Sequence, residues 1–282
     1  LTSAEAAYRN AVLLQPDVLD WRLGLAKTLF RQRQYEEAAI LCGELMEDYP
    51  DQPDYWLLQA NAYLGMKEPL RAAVNYEYLH LLGKATAQSM NTLGDIYVNE
   101  GAMDMAADAY IAALRLDEDD RRDLYLRDAE ILLVRAAYDD ARRLLAAFEE
   151  KYGADLAAEH RKKKLKLEAR LAAIQGVSGE EHVAILEQIV ELDPLDGEAL
   201  ILLARHYVDA DDFERAVFYF ERAQGIEDTE AVACLRHAQA LVREGRFAEA
   251  LPLLKRSQQI EPRDDVATYM EQVEKAANMR GG

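Results

Sequence analysis

The side chains from which a catalytic or metal centre would be built lie far apart in this chain. The five histidines, His80, His160, His182, His206 and His237, stand in separate stretches, with no HExxH and no pair at i,i+4. A helix needs that spacing to put two imidazoles on one metal ion. Cys42 and Cys234 lie 192 residues apart, so neither a CxxC knuckle nor a disulfide framework can be drawn. The acid pairs Asp119-Asp120, Asp139-Asp140 and Asp211-Asp212 fall in polar turns, where a carboxylate caps the next helix. General acid–base work needs instead an enclosed cleft and shifted pKa values. No GxGxxG and no GxxxxGK[ST] is present to cradle phosphate. The expectation is no catalytic residue, no metal and no cofactor.

What remains is a surface for binding, and charge narrows its partners. The 282 residues carry 33 basic and 52 acidic side chains, a net charge of −19 with a pI near 4.7. That argues against nucleic acid or an anionic membrane, both of which need a basic footprint. The longest uncharged apolar stretch, Tyr55 to Met66, is shorter than the ~20 residues of a membrane helix, so no membrane insertion by this segment is expected. No basic leader precedes an apolar run, and the chain begins at Leu1. A trimmed start is expected, which leaves cytoplasm and bacterial cell envelope or periplasm both open.

The elements that must present such a surface are legible as repeats. One column of alanines runs Ala4, Ala38, Ala72, Ala106, Ala141, Ala216 and Ala250, at spacings of 34, 34, 34, 35, 75 and 34, and His182 divides the long interval. Four residues later comes Tyr8, Cys42, Tyr76, Tyr110, Leu145, Leu186, Phe220 or Leu254. A second small column holds Ala26, Ala60, Gly94, Ala129, Ala204 and Ala238, with Leu29, Tyr63, Tyr97, Leu132, Tyr207 and Leu241 three residues on. Each unit reads as two antiparallel helices. Small residues let the backbones approach, and the bulky neighbour on the same face fills the gap. Gly101 and Gly245 are placed to end a helix in a left-handed turn, and Tyr35, Tyr138, Phe213 and Phe247 open second helices. Units this short bury their apolar faces only by stacking.

These columns resemble the tetratricopeptide repeat (TPR): Trp56, Ala60 and Tyr63, then Ala72 and Tyr76, with the cleanest copy running from Leu93-Gly94-Asp95-Ile96-Tyr97 through Ala106, Tyr110 and Ala113. The resemblance implies an all-α, right-handed α–α superhelix of about seven units, beginning near Leu19, Pro53, Ala87, Arg122, Lys163, Gly197 and Ala231. Residues 2–15 read as an orphan helix and 265–279 as a C-terminal cap. The fifth unit gains six or seven residues, with a long first helix from about Asp155 to Ile174 carrying His160-Arg161-Lys162-Lys163-Lys164-Leu165-Lys166. That run reads as a solvated face or as a docking patch for an acidic segment or a second copy. The frame change divides the chain into blocks 1–153 and 154–282, with Gly176-Val177-Ser178-Gly179 as a hairpin turn. The degenerate Ala-, Leu-, Arg- and Glu-rich repeats read as bacterial.

In this family the first helices line a concave groove that takes extended or helical protein segments. Carrying those columns over gives Lys27, Arg31, Asn61, Asn91, Asp95, Asn99 and Arg127, with Glu130, and further along Arg205, Arg236, Gln239 and Arg243, with Asp209. Asn61, Asn91 and Asn99 are expected to hold a ligand main chain, since an amide both donates and accepts. The chaperone-tail clamp of some members is not reproduced: only Asn61 and Arg127 match it, with Leu57, Thr92 and Asp123 at the other places. The implied function is a non-catalytic scaffold that binds a protein segment. The alternatives are a self-assembling module that associates through its terminal helices, or the targeting or regulatory arm of a larger protein.

Overall fold

The computed structural model describes residues 2–175 and 179–280, so the turn expected at 176–178 lies outside the described residues. The fold is an all-α helical repeat solenoid, with no strand among the described residues. It forms two compact units, Leu1–Asp155 and Leu156–Gly282.

The N-terminal unit holds α1 (Thr2–Leu14), α2 (Leu19–Arg31), α3 (Tyr35–Asp48), α4 (Pro53–Gly65), α5 (Pro69–Leu81), α6 (Ala87–Glu100), α7 (Met103–Leu116), α8 (Arg122–Val134) and α9 (Tyr138–Tyr152). The C-terminal unit holds α10 (Ala158–Gln175), α11 (Gly179–Leu192), α12 (Gly197–Asp209), α13 (Phe213–Gln224), α14 (Glu230–Arg243), α15 (Phe247–Ile260) and α16 (Asp264–Arg280). Five of the seven repeats begin at the expected residue. The seventh begins one residue earlier, at Glu230, and the fifth at Ala158, after a 3-10 turn at Gly153–Asp155.

Local chemistry explains the breaks. Pro53 and Pro69 open α4 and α5, where a missing N–H costs nothing. Thr86 and Ser89 cap α6 reciprocally, each hydroxyl accepting the other's backbone N–H at 3.1 and 2.9 Å. Between paired helices the same turn recurs: Arg33, Lys67, Gly101, Ala136, Asp211 and Gly245 all adopt φ between 56° and 80°. The next residue's N–H donates back to the Leu29, Tyr63, Tyr97, Leu132, Tyr207 or Leu241 carbonyl at 2.8–3.0 Å, as in a Schellman ending. The repeated bulky column therefore supplies both packing and the acceptor that closes its helix.

The acid pairs divide. Asp212 caps α13 through Arg215 N at 3.1 Å. Asp139 and Asp140 instead lie inside the first turn of α9 and pair with Arg142 and Arg143 at 3.0 Å. Asp120 takes a left-handed conformation and pairs with Arg122.

Both small columns are buried except at Ala4, which is exposed, and at His182, which is half-buried. The close approach they permit is visible at Gly94: a Cβ there would lie 2.4 Å from the Tyr110 ring, so only glycine admits the tyrosine. In the N-terminal unit Tyr8 and Val12 of α1 pack over Leu25, Leu29 and Ala38. In the C-terminal unit Leu165, Leu186, Leu203, Tyr207 and Phe220 share one core, and Val266 and Val273 of α16 cover Leu241 and Leu254. Each such large apolar side chain contributes about 1.5–3 kcal/mol on burial.

The basic run on α10 is partly engaged within its own unit, although Arg161 and Lys163 are exposed. Lys162 pairs with Asp193 at 2.8 Å and Lys166 with Asp196 at 2.6 Å, tying α10 to the turn before α12. Lys164 is buried and pairs with Glu168. Asp196 also caps α12, accepting from Ala199 N at 3.2 Å.

Candidate peptide-binding groove

The first-helix column that follows each small residue reads Lys27, Asn61, Asp95, Glu130, Arg205 and Gln239. In the N-terminal unit two of its members, Asn61 and Asp95, are held from below. The Tyr76 hydroxyl on α5 donates to Asn61 Oδ1 at 3.1 Å, and the Tyr110 hydroxyl on α7 donates to Asp95 Oδ1 at 2.8 Å. One oxygen of each side chain is thus fixed by the second helix of its own repeat. Asn61 is left offering its amide nitrogen, and Asp95 its second carboxylate oxygen. Burial, with the Asp95 charge close by, pushes the Tyr110 phenol well above its ordinary value, so it stays a donor.

Asp95, Asn99 and Arg127 converge on a cavity of about 600 Å³ between α6 and α8, with Val98, Tyr110 and Ile131 among its walls. Asn99 is exposed, and its side chain makes no hydrogen bond among the described residues. Glu130 stands at the rim. Lys27 bridges to Asp54 on the next first helix at 3.3 Å, and Arg31 is exposed.

Asn91 differs from expectation. It is 4% exposed, and its amide donates to Asp128 Oδ2 at 2.6 Å, so it lies under the groove rather than in it. Asp128 is fully buried, and Arg127 Nη2 reaches its other oxygen at 3.1 Å. Burial pushes the Asp128 carboxyl up to about 6. Arg127 and Asn91 oppose the shift, and neighbouring Asp95 adds to it.

The C-terminal unit carries the remaining four residues. Arg243 pairs with Asp209 at 3.1 Å across α14 and α12, Arg236 donates to Gln239 at 3.0 Å, and Arg205 is exposed. Of these three arginines, Arg243 is the one that meets a carboxylate among the described residues.

Sequence reasoning missed Tyr110 and Asp128 as parts of the site. A signal for Asp128 exists one place before the small column, which reads Leu25, Gln59, Leu93, Asp128, Leu203 and His237. All six are buried, so a polar residue in that column marks a buried network. Gln59 donates to the Ala39 carbonyl and accepts from Asn75, and His237 pairs with Gln224 while stacked on Phe220.

A larger cavity of about 830 Å³ lies on the second helices, walled by His80, Asp108, Ile111, Arg115, Arg143 and Ala146 among others. Arg143 there is spent on Asp108 and Asp140. Among the described residues no group of His, Cys, Asp or Glu is placed to hold a metal ion. No described helix is long and apolar enough to cross a membrane.

Residues 1–62 and 87–120 match tetratricopeptide repeat profiles. The chain thus carries tetratricopeptide repeats over these residues, and the same helix pairs recur along the rest of it. No curated protein matches it in sequence. Its fold is similar to the C-terminal part of a TPR repeat-containing protein from Cytophaga hutchinsonii, at TM-score 0.55 and 15% identity over 87% of this chain and 98% of that one. Yeast Tom70 is similar at TM-score 0.49 and 16% identity, over 99% of this chain and 60% of that one. The Cut9–Hcn1 hetero-tetramer of the APC/C matches at TM-score 0.46 and 15% identity over 96% of this chain, which spans about half (52%) of the chain it matches there.

Proposed function

We propose that this protein is a non-catalytic interaction scaffold that holds an extended segment of a partner protein along the first helices of residues 1–155. The observation that carries the reading is the convergence of Asp95, Asn99 and Arg127 on one cavity with apolar walls. Hydrogen-bonding groups pre-oriented over an apolar floor are what a peptide groove requires, because the floor supplies burial and the few polar groups fix register. Asn61 offers a donor and Asp95 an acceptor, and an extended main chain needs both. The tetratricopeptide repeats that the chain carries support the same reading.

The test is selection of a random peptide library on the intact chain, with Asn99→Arg as the comparison. Asn99 is exposed, so its replacement fills the cavity mouth without disturbing the core. Peptides enriched on the native chain should bind the variant at least about tenfold more weakly, a loss of about 1.4 kcal/mol. Equal binding to both proteins, or no enrichment at all, overturns the proposal. Concentration-dependent mass without any peptide would turn attention to self-assembly.

A further inference from the structure

A fully buried carboxylate directly beneath a candidate groove is costly to keep, and the side chains around Asp128 show what it does. Its Oδ2 takes the Asn91 amide from α6, and its Oδ1 takes Arg127 Nη2 from its own helix. Asp95 of α6 and Tyr110 of α7, both cavity walls, lie close enough to interact with its charge, as does Tyr125 of α8. On α9 the cations and Tyr152 are engaged elsewhere: Arg142 with Asp139, Arg143 with Asp108 and Asp140, Lys151 with the Leu114 and Asp117 carbonyls, and Tyr152 with Asp117. Glu149 and Glu150 are exposed. Among the described residues Arg127 is therefore the one cation bonded to Asp128, and its half-exposed guanidinium is among the groups that line the cavity.

We propose that Asp128 is a proton-controlled latch on Arg127, holding the guanidinium down while ionised and releasing it into the cavity when protonated. Asn91 and Arg127 both only donate, so the oxygen that takes the proton must give up its donor. Asn91 is buried and held in place, whereas the half-exposed Arg127 can swing away, so the proton goes to Oδ1, and a neutral carboxyl no longer holds the guanidinium as an ion pair. Burial and the like charge of Asp95 favour the neutral form, placing the transition near pH 6. Acidification thus adds one net positive charge to the cavity. Its effect on ligands rests on the groove reading, whereas the latch itself is read on the free protein.

Carboxyl-carbon and arginine side-chain NMR on the full chain, from about pH 7.5 to about pH 4.5, tests the latch directly. Asp128 should titrate near 6, and the Arg127 signals should move with the same midpoint and stay flat in Asp128→Asn. Arg127→Gln, at an exposed position, should raise the Asp128 midpoint further. Titration of Asp128 alongside surface carboxylates near 4, or immobile Arg127 signals, overturns the latch. With peptides selected on the groove, acidic ones should bind at least about threefold tighter at about pH 5.5 than at about pH 7.5, and basic ones weaker, in the native chain but not in Asp128→Asn. Equal pH dependence in both proteins overturns the coupling to ligand, even where the NMR transition holds. Absence of any selected peptide counts against the groove and leaves the latch to the NMR result.

Discussion

The Tyr110 hydroxyl donates to Asp95 Oδ1 at 2.8 Å, while the ring of the same tyrosine lies where a side chain on Gly94 would have to go. One residue of α7 therefore sets both the spacing of α6 from α7 and the orientation of a groove carboxylate. The equivalent bond from Tyr76 to Asn61 repeats the device one repeat earlier.

Gly94→Ala should damage both functions at once. Its Cβ would fall 2.4 Å from a fully buried ring with nowhere to retreat, and overpacking of this kind costs about 1–3 kcal/mol. Tyr110→Phe, which keeps the packing and loses only the hydroxyl, should cost about 1 kcal/mol. Urea denaturation of the two variants separates spacing from orientation, and equal losses would contradict the account.

Asp128→Asn should stabilise the protein at neutral pH and not in acid. Asp128 has a folded pKa of about 6, above the ordinary 3.8. Its favourable contribution is therefore complete below the unfolded value and is lost as pH rises through the folded one. Holding the carboxylate buried costs about 3 kcal/mol at pH 7.5, and asparagine removes that cost. The stability difference between variant and native protein should shrink toward its acid value by about pH 4. A difference that does not change with pH would show that Asp128 is not perturbed.

Asp196→Ala should loosen the C-terminal unit locally. The carboxylate caps α12 and accepts Lys166 at 2.6 Å, and loss of a cap alone costs about 1–2 kcal/mol. Hydrogen exchange should rise in residues 197–209 and leave residues 1–155 unchanged, because a repeat array opens neighbour by neighbour. Uniform acceleration along the chain would contradict this.

Cys42 should be chemically silent. It is fully buried in the column between α2 and α4, and burial pushes its thiol up to about 12, so almost no thiolate forms at neutral pH. Iodoacetamide should modify it no faster than the N-terminal unit unfolds; rapid labelling of the native protein would contradict the packing.

The columns make the repeats legible because burial imposes residue size: Ala38, Ala72, Ala106, Ala141, Ala216 and Ala250 are all fully buried. Even the turn residues fall at the repeat spacing, although only two of the six are glycine. The groove was less legible, since the family columns place a residue on a helix face without saying what reaches it. Asn91 shares a column with Leu57 and Leu126 and looks like a groove amide, yet it is occupied by a carboxylate 37 residues away. The pairings of Lys162 and Lys166 on α10 are hidden for the same reason: nothing local tells that Asp193 and Asp196 come round to meet them. Pairings across helices depend on side-chain reach in three dimensions, which a one-dimensional pattern does not encode.

The central claim, that a protein segment lies across the first helices of residues 1–155, is tested most directly by mapping amide shifts when a library-selected peptide is titrated onto the labelled chain. The account predicts the largest shifts at Asp95, Val98, Asn99, Arg127 and Ile131 around the 600 Å³ cavity. Shifts centred on Asp108, Ile111, Arg115 and Ala146, around the cavity of the second helices, would contradict it.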